Sequence, residues 1–208
     1  MPRRRYRRRS RRKSDYLGTA AKALSVAYGV KKLINVERKV HDVAISSNVG
    51  SSTGLITQLN NISQGDTTST RSGNSIKCVS QTIRGSASIH ASATHSSLRF
   101  LIVRDTDNQG ETITVADVLN DTSPNSLLNI TKYPGRFKVL MDKQFSLSDS
   151  GAKLQHFKKH KKMSFHLKYS TQGTYDPKDN ALFLIALSNE ATNQPGLSAY
   201  YRLRYIDN

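Results

Sequence analysis

An all-β fold, an antiparallel sandwich or jelly roll of about eight strands behind a disordered arginine-rich N-terminal arm, is what three features of this 208-residue chain predict. From Glu37 onward, about eight short β-like runs follow one another, separated by clusters of Gly, Asn, Asp, Ser and Pro. Helical periodicity is almost absent from that stretch and the connections are long and polar, a combination that argues for a sandwich or jelly roll. The third feature is a jump in composition. The first thirteen residues, Met-Pro-Arg-Arg-Arg-Tyr-Arg-Arg-Arg-Ser-Arg-Arg-Lys, carry nine cations and no acid. Like charges packed so tightly repel one another and bring almost nothing to bury, so this segment should stay disordered until a polyanion neutralises it.

The chain therefore divides into an arm over 1–36 and a body over 37–208, long enough for one domain with a sizeable core. Within the arm, Leu17, Ala21, Leu24 and Tyr28 recur at spacings of four, three and four. That period predicts a short amphipathic helix as connector. In the body the runs lie near 37–46, 54–60, 76–91, 97–104, 136–148, 154–169, 181–188 and 199–206. The clearest begins at Arg136, where Phe137, Val139, Met141, Phe145 and Leu147 share one parity and Arg136, Lys138, Asp142, Gln144 and Ser146 the other. It predicts one buried and one polar face. Phe100–Val103 and Leu182–Leu187 are continuous apolar runs, as central strands covered on both sides require. One short helix is expected after Thr114, because Thr114 and Asp117 have capping-box spacing and Val115, Val118 and Leu119 share a face.

Charge points to a partner. Residues 1–39 hold fourteen Lys and Arg against Asp15 and Glu37, a net +12, whereas the remainder carries only +5. A folded domain that reads nucleic acid usually has its basic stripe on its own surface; here the arm carries the field, which favours packaging or tethering over sequence readout. Each neutralised phosphate releases condensed counterions, so such an arm binds any sequence, in a salt-dependent way. The candidate nucleic-acid-binding residues are Arg3, Arg4, Arg5, Arg7, Arg8, Arg9, Arg11, Arg12 and Lys13, with Tyr6 able to stack on bases. Three targeting readings of the same segment stay open: a mitochondrial transit peptide, a twin-arginine signal and a nuclear localisation signal. The single cysteine, Cys78, has no internal partner and fits a reducing setting. No run approaches the eighteen uninterrupted apolar residues of a membrane helix, so no membrane insertion is expected.

Five fragments, in this order and spacing, carry a family resemblance: Arg71-Ser-Gly-Asn-Ser-Ile76, Leu98-Arg-Phe-Leu-Ile-Val-Arg-Asp105, Asn108-Gln-Gly110, Thr114-Val-Ala-Asp-Val-Leu119 and Arg136-Phe-Lys-Val-Leu-Met-Asp-Lys-Gln-Phe-Ser-Leu147. This central block resembles that of capsid proteins of small circular single-stranded DNA viruses encoding a replication initiator, and is similar to that of satellite tobacco necrosis virus coat proteins. The resemblance implies an eight-stranded jelly roll, a homo-oligomeric shell of about sixty copies, and an arm lying on a packaged circular single-stranded DNA genome. It also implies that the arm doubles as a nuclear import signal, which puts the chain in the virion and the host nucleus and adds an import receptor, and a cell-surface receptor, to its partners. About sixty such arms would balance the phosphates of several hundred to a thousand or so nucleotides. DNA as opposed to RNA comes from the resemblance alone, because an arginine arm makes no dedicated 2′-hydroxyl contact. The other reading is a ribosomal or chromatin-associated protein with a basic extension, and a third is an organellar protein with a cleaved transit peptide.

A second basic patch, Lys158, Lys159, Lys161 and Lys162 with His156 and His160 among them, reads as an inner surface touching the packaged strand, as an outer patch for anionic receptors, or as a solvated loop between strands. Catalytic and metal signatures fall away. Gly50-Ser-Ser-Thr-Gly54 fits the nucleophile-elbow pattern, but the polar stretch after it is no helix. His156 and His160 have zinc-helix spacing without the required glutamate between them. Asp105, Asp107, Asn108, Gly110 and Glu111 read as a hairpin connection, with a subunit-bridging cation as the other reading. Asn61, Asn120 and Asn129 open glycosylation sequons that matter only in a secreted chain. With no Walker loop and no dinucleotide fingerprint, no catalytic residue, no cofactor and no metal is expected.

Overall fold

The computed structural model describes Lys22, residues 37–170 and residues 176–207. The arginine arm from Arg3 to Lys13 and the Leu17, Ala21, Leu24 and Tyr28 stripe lie outside the described residues; Lys22, within that stretch, is helical and exposed. A compact unit occupies the chain from Glu37. Its strands are β1 (Arg38–Asn48), β2 (Leu55–Gln58), β3 (Ser75–Ser88), β4 (His95–Asp105), β5 (Phe137–Ser148), β6 (Leu154–Tyr169), β7 (Pro177–Asp179), β8 (Ala181–Ser188) and β9 (Gly196–Asp207), with one helix, α1 (Val115–Val118), between β4 and β5. They form a five-stranded sheet in the order β1-β9-β3-β6-β7 and a four-stranded sheet in the order β2-β8-β4-β5. All the strand pairings are antiparallel.

This is a jelly roll: chain neighbours such as β1 and β2 fall in different sheets, and each sheet is closed by late strands slotting between early ones. Each of the eight runs became a strand. The ninth, β7, is three residues on the edge of β6, and its Pro177 sits where a missing N–H breaks no interior ladder.

The two sheets face each other across one core. From the five-stranded sheet come Ile83, Phe157, Leu197, Ala199, Tyr201 and Leu203, and from the four-stranded sheet Leu98, Phe100, Ile102, Phe145, Leu147, Leu182 and Leu184. Phe157 closes the centre, its ring 5.0 Å from that of Phe100 and 5.3 Å from that of Phe145. The continuous apolar runs behave as their lack of alternation requires. Leu182, Leu184 and Ala186 of β8 enter this core, while Ala181, Phe183, Ile185 and Leu187 join a second cluster on the far side of the same sheet. There Ile113, Val115, Val118 and Leu119 cover them. Helix α1 holds its place through the expected capping box, with the Thr114 N–H and hydroxyl donating to Asp117 Oδ2 at 2.8 and 2.7 Å.

One expectation fails at β5. Its register against β4 shifts between Ile102 and Val103, leaving Leu140 as an extra residue. A bulge inverts the parity of everything beyond it. Met141, Phe145 and Leu147 therefore face the main core, whereas Phe137 and Val139 pack on the second cluster. The single buried face read from Arg136 onward is two half-faces.

Cys78 is buried and unpaired, and burial pushes its thiol up to about 12. At the start of β1, Lys39 is almost fully buried and Nζ donates to Asp207 Oδ2 at 2.9 Å, joining the first strand to the last. Burial opposes both charges. The mutual hydrogen bond and attraction outweigh it, together with the Ser72 N–H donating to Asp207 at 2.6 Å, so Asp207 stays below the usual carboxylate range and Lys39 above the usual lysine value. Stability from Asp207 is then complete above the ordinary carboxylate pKa of about 3.9 and drains away as pH falls through its depressed folded value. Asp207→Asn should cost about 1.5–3 kcal/mol at neutral pH, because the Lys39 ammonium loses its nearer carboxylate and keeps only that of Glu37, 3.5 Å away. In chemical denaturation the gap to the native chain should narrow below about pH 4, because the native chain loses the same contribution there.

Candidate nucleic-acid interface

The outer side of the four-stranded sheet is covered around α1, but the outer side of the five-stranded sheet is polar and open. Alternation decides what it displays. On β9, Leu197, Ala199, Tyr201, Leu203 and Tyr205 are buried, so Ser198, Tyr200, Arg202 and Arg204 stand outward. Pairing registers extend these four positions across β1, β3 and β6. The rows read Val40, Arg204, Ser80, Lys162; then Asp42, Arg202, Thr82, His160; then Ala44, Tyr200, Arg84, Lys158; then Ser46, Ser198, Ser86, His156. Five cations and one carboxylate share this grid.

The carboxylate is spoken for. Arg202 Nε and Nη2 donate to the two oxygens of Asp42 at 2.7 and 2.6 Å, and this fork holds Asp42 below the usual carboxylate range. Its charge cancels one neighbour, leaving Arg84, Arg204, Lys158 and Lys162 exposed with no acid on the grid to offset them. The strands can lie this close beside Tyr200 because Gly85 has no Cβ. One built there would fall 2.2 Å from the Ser198 carbonyl oxygen and 2.6 Å from Ala199 Cα. A hollow of about 340 Å³ beside the Tyr200 ring is lined by Arg84, Ser86, His156 and Ser198 among others.

The second basic patch is thus no loop; it is the middle of β6. Nor is it one patch. Lys158 and Lys162 share the outer grid with His156 and His160, whereas Lys159 and Lys161 have the opposite parity and emerge at the sandwich rim beside β5, where Lys161 Nζ donates to the Leu140 carbonyl at 2.8 Å. His156 and His160, four apart on a strand, are about 13 Å apart along the backbone, far beyond shared metal ligation, and His160 Nδ1 instead meets Thr82 Oγ1 at 2.9 Å. Among the described residues no group of three or more His, Cys, Asp or Glu converges as a metal site. The Asp105 carboxylate, fully buried, is taken by a fork from Arg136 at 2.7 and 2.8 Å and by Asn108 at 3.2 Å, so it braces the 105–111 connection. Gly50–Gly54 links β1 to strand β2 with no helix after it, and Gly54 takes φ +66° against the Ala186 carbonyl. Sequence reasoning missed Arg84, Arg202, Arg204 and Tyr200 as surface partners of β6. Their common face exists only through strand order, although the alternation of Ser198, Tyr200, Arg202 and Arg204 was there to read.

A model of the family described as satellite tobacco necrosis virus coat protein matches residues 7–208. This chain belongs to that coat protein family. The capsid protein of satellite tobacco necrosis virus 1 is 36% identical over 132 residues, 61% of this chain and 65% of that protein, just under two thirds of its length. The coat protein of satellite tobacco necrosis virus 2 is 29% identical over 88% of this chain and 93% of its own, and that of maize white line mosaic satellite virus 26% over 96% and 95%. Family membership makes the chain a viral coat protein and a component of a virion, a structural role, and it displaces the ribosomal, chromatin and organellar readings. It supports the satellite virus half of the family resemblance and lends nothing to the circular DNA virus half.

The close approach at Gly85 gives a direct test of this face. Gly85→Ala should push β3 from β9 and cost about 1–3 kcal/mol, read as a lower midpoint in chemical denaturation.

Proposed function

We propose that this coat protein assembles into a closed shell of about sixty copies and packages a single-stranded nucleic acid genome through its arm. Lateral contacts between the bodies close the shell by symmetry. Arg3, Arg4, Arg5, Arg7, Arg8, Arg9, Arg11, Arg12 and Lys13 neutralise phosphates without reading sequence. The observation that carries this reading is the concentration of +11 of the chain's +17 in residues 1–36, ahead of a coat-protein jelly roll. Lys158 and Lys162 would add to the arm's work from the body, and Lys159 and Lys161 less, being on the other side of β6.

Circular single-stranded DNA is the cargo implied by the central-block resemblance. The arm's chemistry is indifferent to the sugar, so the proposal commits to a single strand, and nuclease digestion of the contents tells DNA from RNA. Import of the chain into the host nucleus by an import receptor, and binding of the particle to a cell-surface receptor, are further parts of the same proposal; the basic arm suits the first of them.

Removing residues 3–13 should leave the body folded and abolish copurifying nucleic acid, measured by the ratio of absorbance at the nucleic-acid and protein maxima; undiminished copurification would overturn the packaging role of the arm. Replacing Lys158 and Lys162 together by Ser should flatten the log–log salt dependence of single-strand binding by about 1.4, at ~0.7 per lost phosphate contact. The Lys159 and Lys161 double replacement should change that slope by less.

A further inference from the structure

Tyr200 is 72% exposed in the middle of a strand, where its neighbours on the face are Ala44, Arg84, Lys158, Ser198 and Arg202. Among these described neighbours no large apolar side chain covers the ring. A buried tyrosine such as Tyr201 next to it fills core and donates to Gln81 Oε1 at 3.0 Å, but Tyr200 does neither for the subunit.

We infer that Tyr200 is a stacking platform for an unpaired base of single-stranded nucleic acid, with Arg84 and Lys158, which follow it on one side of the row, taking successive phosphates. This deepens the packaging reading and rests on it. An aromatic face accepts any base, and cations beside it hold the backbone, which is how sequence-tolerant single-strand sites are built. Arg84 and Lys158 follow Tyr200 in the same row, one and two strands away, so they lie within about 10 Å of the ring. The hollow beside it, floored by the small side chains of Ser86 and Ser198, leaves room for a base to lie against the ring. A duplex keeps its bases stacked on each other and offers no free face. A second copy of the same grid would bring like charges together and is disfavoured. An anionic membrane would meet the cations, but one ring on a flat polar sheet gives it no apolar surface to enter.

The chain contains no tryptophan, so Tyr200→Trp in the full-length protein places a single tryptophan at the site, excited at wavelengths where the remaining tyrosines do not absorb. Its emission should fall when an oligo(dT) or oligo(U) binds and stay constant with a duplex of equal length, binding being followed independently by anisotropy of a label on the nucleic acid. Tyr200→Ala should weaken binding of the single strand by about 5- to 150-fold, and Tyr200→Phe, which keeps the ring, should restore it. A strand that binds with unchanged emission and with equal affinity for the Ala variant would overturn the stacking site while leaving the arm's role standing. A strand that fails to bind the full chain would overturn both, and emission responding only to vesicles of anionic phospholipid would overturn the site in favour of a membrane.

Discussion

Alternation along a strand is the constraint on which this molecule rests. Once Leu197, Ala199, Tyr201, Leu203 and Tyr205 enter the space between the sheets, Ser198, Tyr200, Arg202 and Arg204 have only the solvent side left to them. The same rule acting on β3 and β6 aligns Arg84 and Lys158 beside Tyr200, so the composition of the open face is settled by the packing of the closed one. No additional structural element is needed to build it. The four-stranded sheet obeys the rule too, with the opposite result: β8 is apolar from Ala181 to Leu187, so both of its faces demand cover, and α1 with its flanking residues supplies the second layer.

The positions of the strands were legible because turn residues punctuate the chain and because β4 and β8 are too apolar to lie anywhere but the centre of a sheet. Two things were not. The bulge at Leu140 carries no mark of its own, since a residue inserted in one strand is defined only against the partner it fails to pair with, and reading β5 as a uniform alternation assigned Phe137 and Val139 to the wrong cluster. The Lys158–Lys162 run looked like one object because its residues are adjacent in the chain, yet a strand sends neighbours to opposite sides and so divides it. Arg202 and Arg204 lie some forty residues away in sequence and on the same face in space, an association that only sheet order reveals. The basic arm needed no fold to be noticed, as its chemistry is complete in its composition.

The two basic features differ in kind. The arm concentrates charge in a nearly unbroken run of cations, which suits a long polymer bound without regard to sequence. The sheet face holds fewer charges at fixed spacings and includes an aromatic ring, and with Asp42 tied to Arg202 its charge is discrete and directional. In the proposed particle the first attracts the genome and the second orients a short piece of it.

Burial makes Cys78 inert toward oxidation between copies of the chain. The nucleophile in disulfide exchange is the thiolate, and a sulfur shut inside the sandwich with its proton retained neither attacks nor is attacked. Air oxidation therefore has no route to cross-link copies of this subunit through Cys78, and contacts between them gain nothing from a disulfide.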